Sequence, residues 1–164
     1  MAGKDYPERT LKSGFGWIGA GDYKDLGECG NVEDMPIRGH GIDIVETARI
    51  RHMAQEHGQR FLDRCFTSAE QVYCHKNPKR LYEHLAGRFA AKEAVLKVLG
   101  TGWSGGISWT DIEILPEPSG QPRLTLTGRC KEIAQELGIC RWHVSISHIE
   151  THATASSIGM AAQR

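Results

Sequence analysis

The clearest pattern in this sequence is a helix-forming segment from Arg88 to Gly100 whose apolar residues are not confined to one side. Alanine and leucine are common in it, and the glycine that follows is typical of a helix C-terminus. At about 100° per residue, the apolar side chains point in almost every direction. A helix that is apolar all round is usually buried, so we predict a long buried helix at the centre of the fold.

Three charged residues interrupt this apolar segment: Lys92, Glu93 and Lys97. Burying an unpaired charge costs several kcal/mol, so each of them needs a partner, a metal ion or an anion. The simplest interpretation is an i,i+4 ion pair between Glu93 and Lys97, worth a few tenths of a kcal/mol. Alternatively, one carboxylate between two ammonium groups holds a cation and a polyphosphate together.

A second informative segment covers residues 37–46. Its β-branched residues alternate, with Ile42 and Ile44 on one side and Val45 on the other, which predicts a strand. Asp43 lies between the two isoleucines, although Asp is depleted in strands. Its carboxylate is either exposed on an edge strand or a metal ligand, and the pattern alone favours neither.

The remaining pattern predicts shorter helices and paired strands. A helix over residues 48–57 ends at Gly58, and a capping-box pattern from Thr67 to Glu70 opens another that runs to about residue 75. Alternating segments predict strands at 112–115, 124–126, 142–148 and 153–160, with a short helix near 128–137. Because helices are mixed with hairpins, we expect an α+β fold in which an antiparallel sheet packs against the long buried helix.

Composition limits the class of function. The length of 164 residues predicts one folded domain, and 20 basic residues balance 20 acidic ones, so no overall field attracts nucleic acid. No apolar run reaches the ~18 residues of a membrane span, and no signal peptide is recognisable. Five cysteines without CxxC spacing favour reduced thiols. We expect a cytoplasmic protein without nucleic-acid or membrane partners.

The first 36 residues differ from the rest of the chain. They are rich in glycine and charge and lack a sustained period, so we expect a flexible or loosely docked extension over residues 1–36 and the functional domain over 37–164.

Basic residues follow the first predicted strand. They form either a solvated basic surface or a docking surface for an acidic partner. The residues concerned are Arg49, Arg51, Arg60 and Arg64.

Most catalytic chemistries lack support in the sequence. Eight histidines are present, but neither HExxH nor GxSxG occurs. Two carboxylates remain, Asp43 on the strand and Glu93 on the buried helix. Hard carboxylate oxygens suit Mg²⁺, and Mg²⁺ with lysines suits a pyrophosphate. The groups available around them are Lys92, Lys97, Arg88, the glycine-rich loop after the helix and the strand-end His148.

At this point the chain resembles a known family. Residues 41–50 are similar to the GxDIVExxRI motif, and residues 87–97 to the GRFAAKEAxxK motif, of the holo-acyl-carrier-protein synthases, the AcpS type of 4′-phosphopantetheinyl transferase. The segments GTG (100–102), WTDIE (109–113), SGQP (119–122) and VSISH (144–148) follow in the family's order. The resemblance covers the chain from about residue 37 to its C-terminus.

The resemblance implies the transferase fold of this family and a Mg²⁺-dependent reaction. 4′-Phosphopantetheine would pass from coenzyme A to a serine of apo acyl carrier protein, for fatty acid biosynthesis, releasing adenosine 3′,5′-bisphosphate. Asp43 and Glu93 would hold Mg²⁺, and Lys97 would complete the catalytic set. The coenzyme A contacts would be Arg88, Lys92, Gly100, Thr101, Gly102 and His148.

The resemblance also implies an assembly and a docking site. The family forms homotrimers with active sites between subunits. We therefore expect the strands at 142–148 and 153–160, with Trp142, Val144 and Ile146, to line a threefold interface, although the same residues would serve as the core of a monomer. The four arginines at 49, 51, 60 and 64 would dock the acidic carrier.

Two other functions remain open. One is a non-catalytic module that binds coenzyme A or a carrier protein, and the other is a Mg²⁺-dependent pyrophosphate hydrolase. Retention of Asp43, Glu93 and Lys97 argues against the first. The basic surface, which suits a protein substrate better than water, argues against the second.

Overall fold

The long buried helix predicted around Lys92 is present, and the rest of the fold surrounds it. The computed structural model describes residues 36–102 and 105–161, so most of the predicted N-terminal extension lies outside the described residues. Its helices are α1 (Thr47–Cys65), α2 (Ser68–His75), α3 (Leu81–Leu99) and α4 (Gly128–Glu136). Its strands are β1 (Ile37–Glu46), β2 (Ile112–Pro116), β3 (Pro122–Leu126), β4 (Ile139–His148) and β5 (His152–Ala161). Short 3₁₀ turns lie at Pro78–Arg80 and Trp109–Asp111.

The strands form two antiparallel sheets. The larger has the order β1-β5-β4, in which Asp43 pairs with Ala155 and Ala155 with Ile146. The smaller is the β2–β3 hairpin, with Ile114 opposite Leu124. The prediction of an α+β fold with an antiparallel sheet against a long buried helix is confirmed.

Helix α3 lies between the larger sheet on one side and α2 with β2 on the other, and twelve of its nineteen residues are buried. It ends at Gly100, whose φ of 72° is the left-handed conformation that glycine adopts most easily. Glycines also bring α3 close to β1, because a Cβ at Gly41 would overlap the carbonyl oxygen of Ala94. This close approach places the middle of β1 directly against the charged part of α3.

The two faces of the larger sheet differ in exposure. Val144, Ala153 and Ala155 are buried against α3, whereas Ile42 and Ile44 on the other face are 59% and 67% exposed. Val144 is part of the core and Trp142 and Ile146 pack against it, as they would in the core of a monomer, so the expectation that these β4 residues line a subunit interface stays a prediction. A period of two identifies the faces of a strand but not the face that a helix will cover.

The predicted end of the first helix at Gly58 is confirmed, since φ 53° and ψ −138° at this residue are not helical. A second helical segment follows the kink, and the two segments together make up α1, which continues to Cys65. The capping box of α2 is confirmed, since the Glu70 amide donates to Thr67 Oγ1 and the Thr67 amide donates to the Glu70 carboxylate. Among the helices of residues 36–102 and 105–161, none has the length and apolar character needed to cross a bilayer.

Candidate functional site

Asp43 and Lys97 meet where β1 lies against α3. The Lys97 Nζ atom is 3.0 Å from Asp43 Oδ1 and donates a 2.6 Å hydrogen bond to the carbonyl oxygen of Ile42. Asp43 shares the α3-facing side of the strand with Gly41 and Val45, so its side chain reaches the helix that carries Lys97. The unusual position of an Asp within a strand is thus explained by an ion pair with the buried helix.

Glu93 lies half-buried beside this pair. Burial and the negative charge of Asp43 raise the pKa of its carboxyl group, while the charges of Lys97 and Arg49 oppose that shift. Two carboxylates therefore interact across the β1–α3 contact. The simpler interpretation, an ion pair between Glu93 and Lys97, is not the arrangement that forms, because Lys97 pairs with Asp43 instead.

The donor set of Asp43 and Glu93 fits Mg²⁺. Two mutually repelling carboxylates favour a cation between them, and Mg²⁺ is commonly held by one or two carboxylates together with waters and substrate phosphates. No cluster of three His, Cys, Asp or Glu side chains suited to a metal occurs in the part of the chain that the structure describes. The two carboxylates thus match a metal shared with a phosphate ligand better than a site built from protein ligands alone.

Lys92 does not join this cluster, and the expectation that it contacts a phosphate is contradicted. Its ammonium group is fully buried, 2.7 Å from the Glu70 carboxylate and 2.9 Å from the carbonyl oxygen of Trp109. Burial lowers the pKa of Lys92, and the Glu70 charge opposes that shift. Consecutive helix residues point about 100° apart, so Lys92 and Glu93 face different neighbours.

Arg88 is also held inside the protein. Its guanidinium lies 4.2 Å from the centre of the Tyr73 ring, and Nη1 donates to the carbonyl oxygen of His84 at 3.1 Å. Burial, followed by the charge of Arg88, lowers the pKa of His84. Arg88 thus joins α2 to α3 in this structure, and its expected contact with coenzyme A stays a prediction.

His148 lies near the N-terminal end of α3. Its Nδ1 atom is 3.1 Å from Glu83 Oε2 and 3.2 Å from Arg80 Nη2. In the sheet, His148 pairs with Ala153, which pairs with Val45 two residues beyond Asp43. The structure therefore places His148 on the same face as Asp43 but two strand positions away, with β5 between them, about 10 Å across the sheet.

Next to His148 and its partner Glu83 is a small cavity of ≈ 150 Å³ that sequence reasoning missed. Arg51 lies over the Tyr82 ring, 5.1 Å from its centre, and both residues line the cavity. The adjacent basic pair Lys79 and Arg80 was a visible signal in the sequence, but no pattern indicated which surface it would face. The complete lining is Thr47, Arg51, Lys79, Tyr82, Glu83 and Glu150.

The four arginines predicted to dock a carrier lie on both helical segments of α1, and their role in docking stays a prediction. Arg49 lies near enough to Glu93 to affect its pKa, whereas Arg51 faces Tyr82. Arg60 and Arg64 lie beyond the non-helical Gly58 and are exposed.

The glycine-rich loop begins where α3 ends, three residues after Lys97. The Gly100 amide donates to the Leu96 carbonyl oxygen, and Thr101 Oγ1 donates to that of Gly102. The structure places the loop beyond Lys97 at the same end of the helix, and its contact with coenzyme A stays a prediction.

Comparison with known proteins agrees with this geometry. A profile of the 4′-phosphopantetheinyl transferase superfamily matches residues 39–156. A holo-[acyl-carrier-protein] synthase of Koribacter versatilis is 48% identical over 122 residues, which cover 74% of this chain and 97% of that protein. The chain belongs to the 4′-phosphopantetheinyl transferase superfamily. The resemblance drawn from the motifs, and the expectation of an enzyme, are thereby confirmed.

Solved structures of this superfamily share the fold. The AcpS crystal structure from Neisseria meningitidis superposes with a TM-score of 0.69 at 34% identity, covering 76% of this chain and 98% of that one. A holo-(acyl-carrier-protein) synthase from Bacillus anthracis, in complex with CoA (3′,5′-ADP), gives 0.64 at 35% identity and covers 78% and 99%. This member of the superfamily therefore has the transferase fold over almost the full length of those structures.

Proposed function

We propose that this transferase moves 4′-phosphopantetheine from coenzyme A to a serine of apo acyl carrier protein, releasing adenosine 3′,5′-bisphosphate, with Mg²⁺ bound by Asp43 and Glu93. The observation that supports this most directly is the pairing of two interacting carboxylates with Lys97 at the contact of β1 and α3. The Bacillus anthracis relative with its bound CoA (3′,5′-ADP) supports coenzyme A as the donor.

In this proposal each residue has an electrostatic or positioning role. Mg²⁺ would neutralise the pyrophosphate and polarise the phosphorus–oxygen bond that breaks. Lys97 would leave Asp43 and neutralise the charge that develops on the phosphate oxygens. His148, with Arg80 and Lys79, would contact the distal part of coenzyme A, and the 100–102 loop would lie along its path. The domain responsible would be residues 37–164.

The carrier would approach along α1. Acyl carrier proteins are acidic, and Arg49 is the predicted docking residue that also lies close to Glu93. An acidic carrier bound there would bring its serine near the two carboxylates. Arg60 and Arg64 on the second segment of α1 would extend this surface, and steering of this kind weakens with salt.

We also propose a homotrimer, assembled through the outer face of the larger sheet. Ile42 and Ile44 leave much of their surface open on that face, and exposed apolar patches commonly mark protein interfaces. The inner face is already covered by α3. Because the cysteines of the described residues are free thiols, we place the enzyme in the reducing cytoplasm, serving fatty acid biosynthesis.

The decisive experiment incubates the chain with apo acyl carrier protein, coenzyme A and Mg²⁺ and measures the carrier's mass. A gain equal to phosphopantetheine is expected, and chelation of Mg²⁺ should abolish it. Free phosphopantetheine without carrier labelling would indicate the pyrophosphate hydrolase, and an unchanged mixture would indicate a binding module.

A further inference from the structure

The ion pair between Lys92 and Glu70 has no part in the proposed chemistry, yet it is among the most buried polar features of the described chain. Both side chains have zero exposure. Charges are rarely buried so completely unless they are paired and hydrogen-bonded, because removing them from water is expensive. An apolar pair would fill the same space, so the directional contacts of the pair require an explanation.

These contacts connect α3 to three other parts of the chain. The Glu70 carboxylate accepts hydrogen bonds from the Ile114 amide in β2 at 2.9 Å and from the Thr67 amide at the start of α2 at 2.8 Å. Lys92 donates to Glu70 and to the carbonyl oxygen of Trp109 in the 3₁₀ turn before β2. One lysine of α3 is therefore fixed to α2, to the 3₁₀ turn and, through Glu70, to β2.

The pair lies on the side of α3 that faces away from the larger sheet. Lys92 and Ala94 are two residues apart, which at about 100° per residue places them on nearly opposite sides of the helix. Ala94 is the residue whose carbonyl oxygen lies against Gly41 of β1. The contact with β1 is a close fit between backbones, and the contact on the other side is a set of directional hydrogen bonds.

We propose that Lys92 and Glu70 are positioning residues: together they fix the rotation and axial position of α3, and so set where Glu93 lies relative to Asp43. The inference rests on the proposed function, since it concerns the two carboxylates that would share Mg²⁺. Glu93 directly follows Lys92 on a rigid helix, so a rotation or slide of α3 displaces Glu93 and Lys97 together while Asp43 stays on β1. Groups that orient metal ligands typically contribute about 10–100-fold to metal affinity or activity.

The test uses the double variant Glu70→Gln/Lys92→Met, which removes both charges and keeps the side-chain shapes close to the original. Each single variant leaves a buried unpaired charge and is expected to fold poorly, which is why the double variant carries the test. Mg²⁺ is titrated calorimetrically into the full chain saturated with coenzyme A, without carrier. The expected result is Mg²⁺ affinity weaker by about 10–100-fold with a similar fall in kcat, and no change in the KM for the carrier.

The matched control is Ile133→Ala, a cavity-forming change in the buried face of α4, a helix that supplies none of the hydrogen bonds of the ion pair. When the control and the double variant have lost the same amount of Tm, the control should still bind Mg²⁺ with wild-type affinity. The inference is wrong if the double variant keeps wild-type affinity and kcat, or if Ile133→Ala loses affinity to the same extent. Failure of the proposed function is a separate outcome, in which the wild-type chain neither binds Mg²⁺ nor labels the carrier, and it would overturn both.

Discussion

The carboxyl group of Glu93 lies half-buried beside Asp43, and both circumstances disfavour its charged form. Two carboxylates placed to bind a cation therefore lower the stability of the fold while the cation is absent. The opposing charges of Lys97 and Arg49 relieve this only in part, since the pKa of Glu93 remains raised. At the scale of single residues, metal binding requires the charged form of Glu93, whereas the stability of the fold favours the neutral form.

Replacing Glu93 with Gln should separate these demands. A raised pKa means that ionised Glu93 destabilises the folded chain, fully above its folded pKa and not at all below its unfolded value near 4.5. Without Mg²⁺ at pH 7.5, Glu93→Gln should thus raise Tm, by about 2–4 °C for each kcal/mol of relieved repulsion. The gain should disappear as pH falls, while Mg²⁺ affinity and transfer are lost. Calorimetric melting across pH measures the first effect, and a Tm below wild type at pH 7.5 would contradict it.

Buried thiols provide a second prediction for individual residues. Burial raises the pKa of Cys74 to about 11, and burial with the Asp111 charge raises that of Cys130 to about 12. Only about one Cys74 thiol in 1,000 would then be ionised at pH 8, and the thiolate is the reactive form. Among the cysteines that the structure describes, iodoacetamide at pH 8 should modify the partly exposed Cys140 first, and Cys74 and Cys130 only after denaturation. Peptide mass spectrometry reads this directly, and early labelling of Cys130 would contradict the burial.

At the scale of elements, the site depends on how close α3 approaches β1. Gly41 permits that approach, because a Cβ there would meet the Ala94 backbone, which cannot move without moving the helix. Gly87 in the same helix differs, since its added Cβ would meet only a side-chain methyl group, Cγ2 of Ile146, at 3.0 Å. The two glycines therefore form a matched pair in which the same substitution has different physical consequences.

Gly41→Ala should push α3 away from β1, destabilise the fold by about 1–3 kcal/mol and break the contact between Asp43 and Lys97. Activity should then fall more than stability alone explains, because Glu93 and Lys97 move away from Asp43. Gly87→Ala should be close to neutral, since removing a helical glycine contributes up to about 1 kcal/mol that offsets the tighter contact. Urea unfolding and kcat measured on both variants test this, and equal behaviour of the two would show that the close approach is unimportant.

At the scale of the whole molecule, the outer sheet face and the separation of His148 from Asp43 bear on assembly. Within a chain the two residues lie on the same side of the sheet, on β1 and β4, with β5 between them. In a homotrimer with sites between subunits, one ligand would contact Asp43 of one subunit and His148 of another. The homotrimer and the shared site both depend on the outer face of the larger sheet being an interface between subunits.

Ile44→Glu should therefore dissociate the trimer, because it places a charge on the outer face, where Ile44 is 67% exposed in the single chain. Sedimentation should report three chains for the wild type and one for the variant, with little change in the helical content of the monomer. Thr125→Glu, an exposed change in β3, is the control and should remain trimeric. A wild-type monomer in solution would contradict the proposed assembly.

Mixing inactive Asp43→Ala and His148→Ala chains tests whether a site is shared. If the two residues come from different subunits, some mixed trimers contain a complete site and activity returns in part. Mixed trimers that stay inactive would show that both residues serve the same site from one subunit.

Local sequence determined several helices and strands of this protein. The apolar character all round α3, the capping box at Thr67 and Glu70, and the alternation in β1 depend on neighbouring residues, so their elements could be predicted. The ordered motifs identified the family, and the oddly placed Asp43 drew attention to the site. These features are local because propensity, capping and periodicity act within a few residues.

Only the tertiary structure decided the partners of the charges and the covered face of the sheet. Lys92 and Lys97 are lysines of the same helix, and nothing in the local sequence distinguishes them. Lys92 nevertheless pairs with Glu70 in the interior, whereas Lys97 pairs with Asp43 at the site. Their partners are 22 and 54 residues away, and no local rule fixes which way α3 turns when it packs. The same holds for Ile42 and Val144, since alternation separates faces without saying which one the helix buries. Those choices follow from how α3 fits between the glycines of β1 and the hydrogen bonds of Glu70.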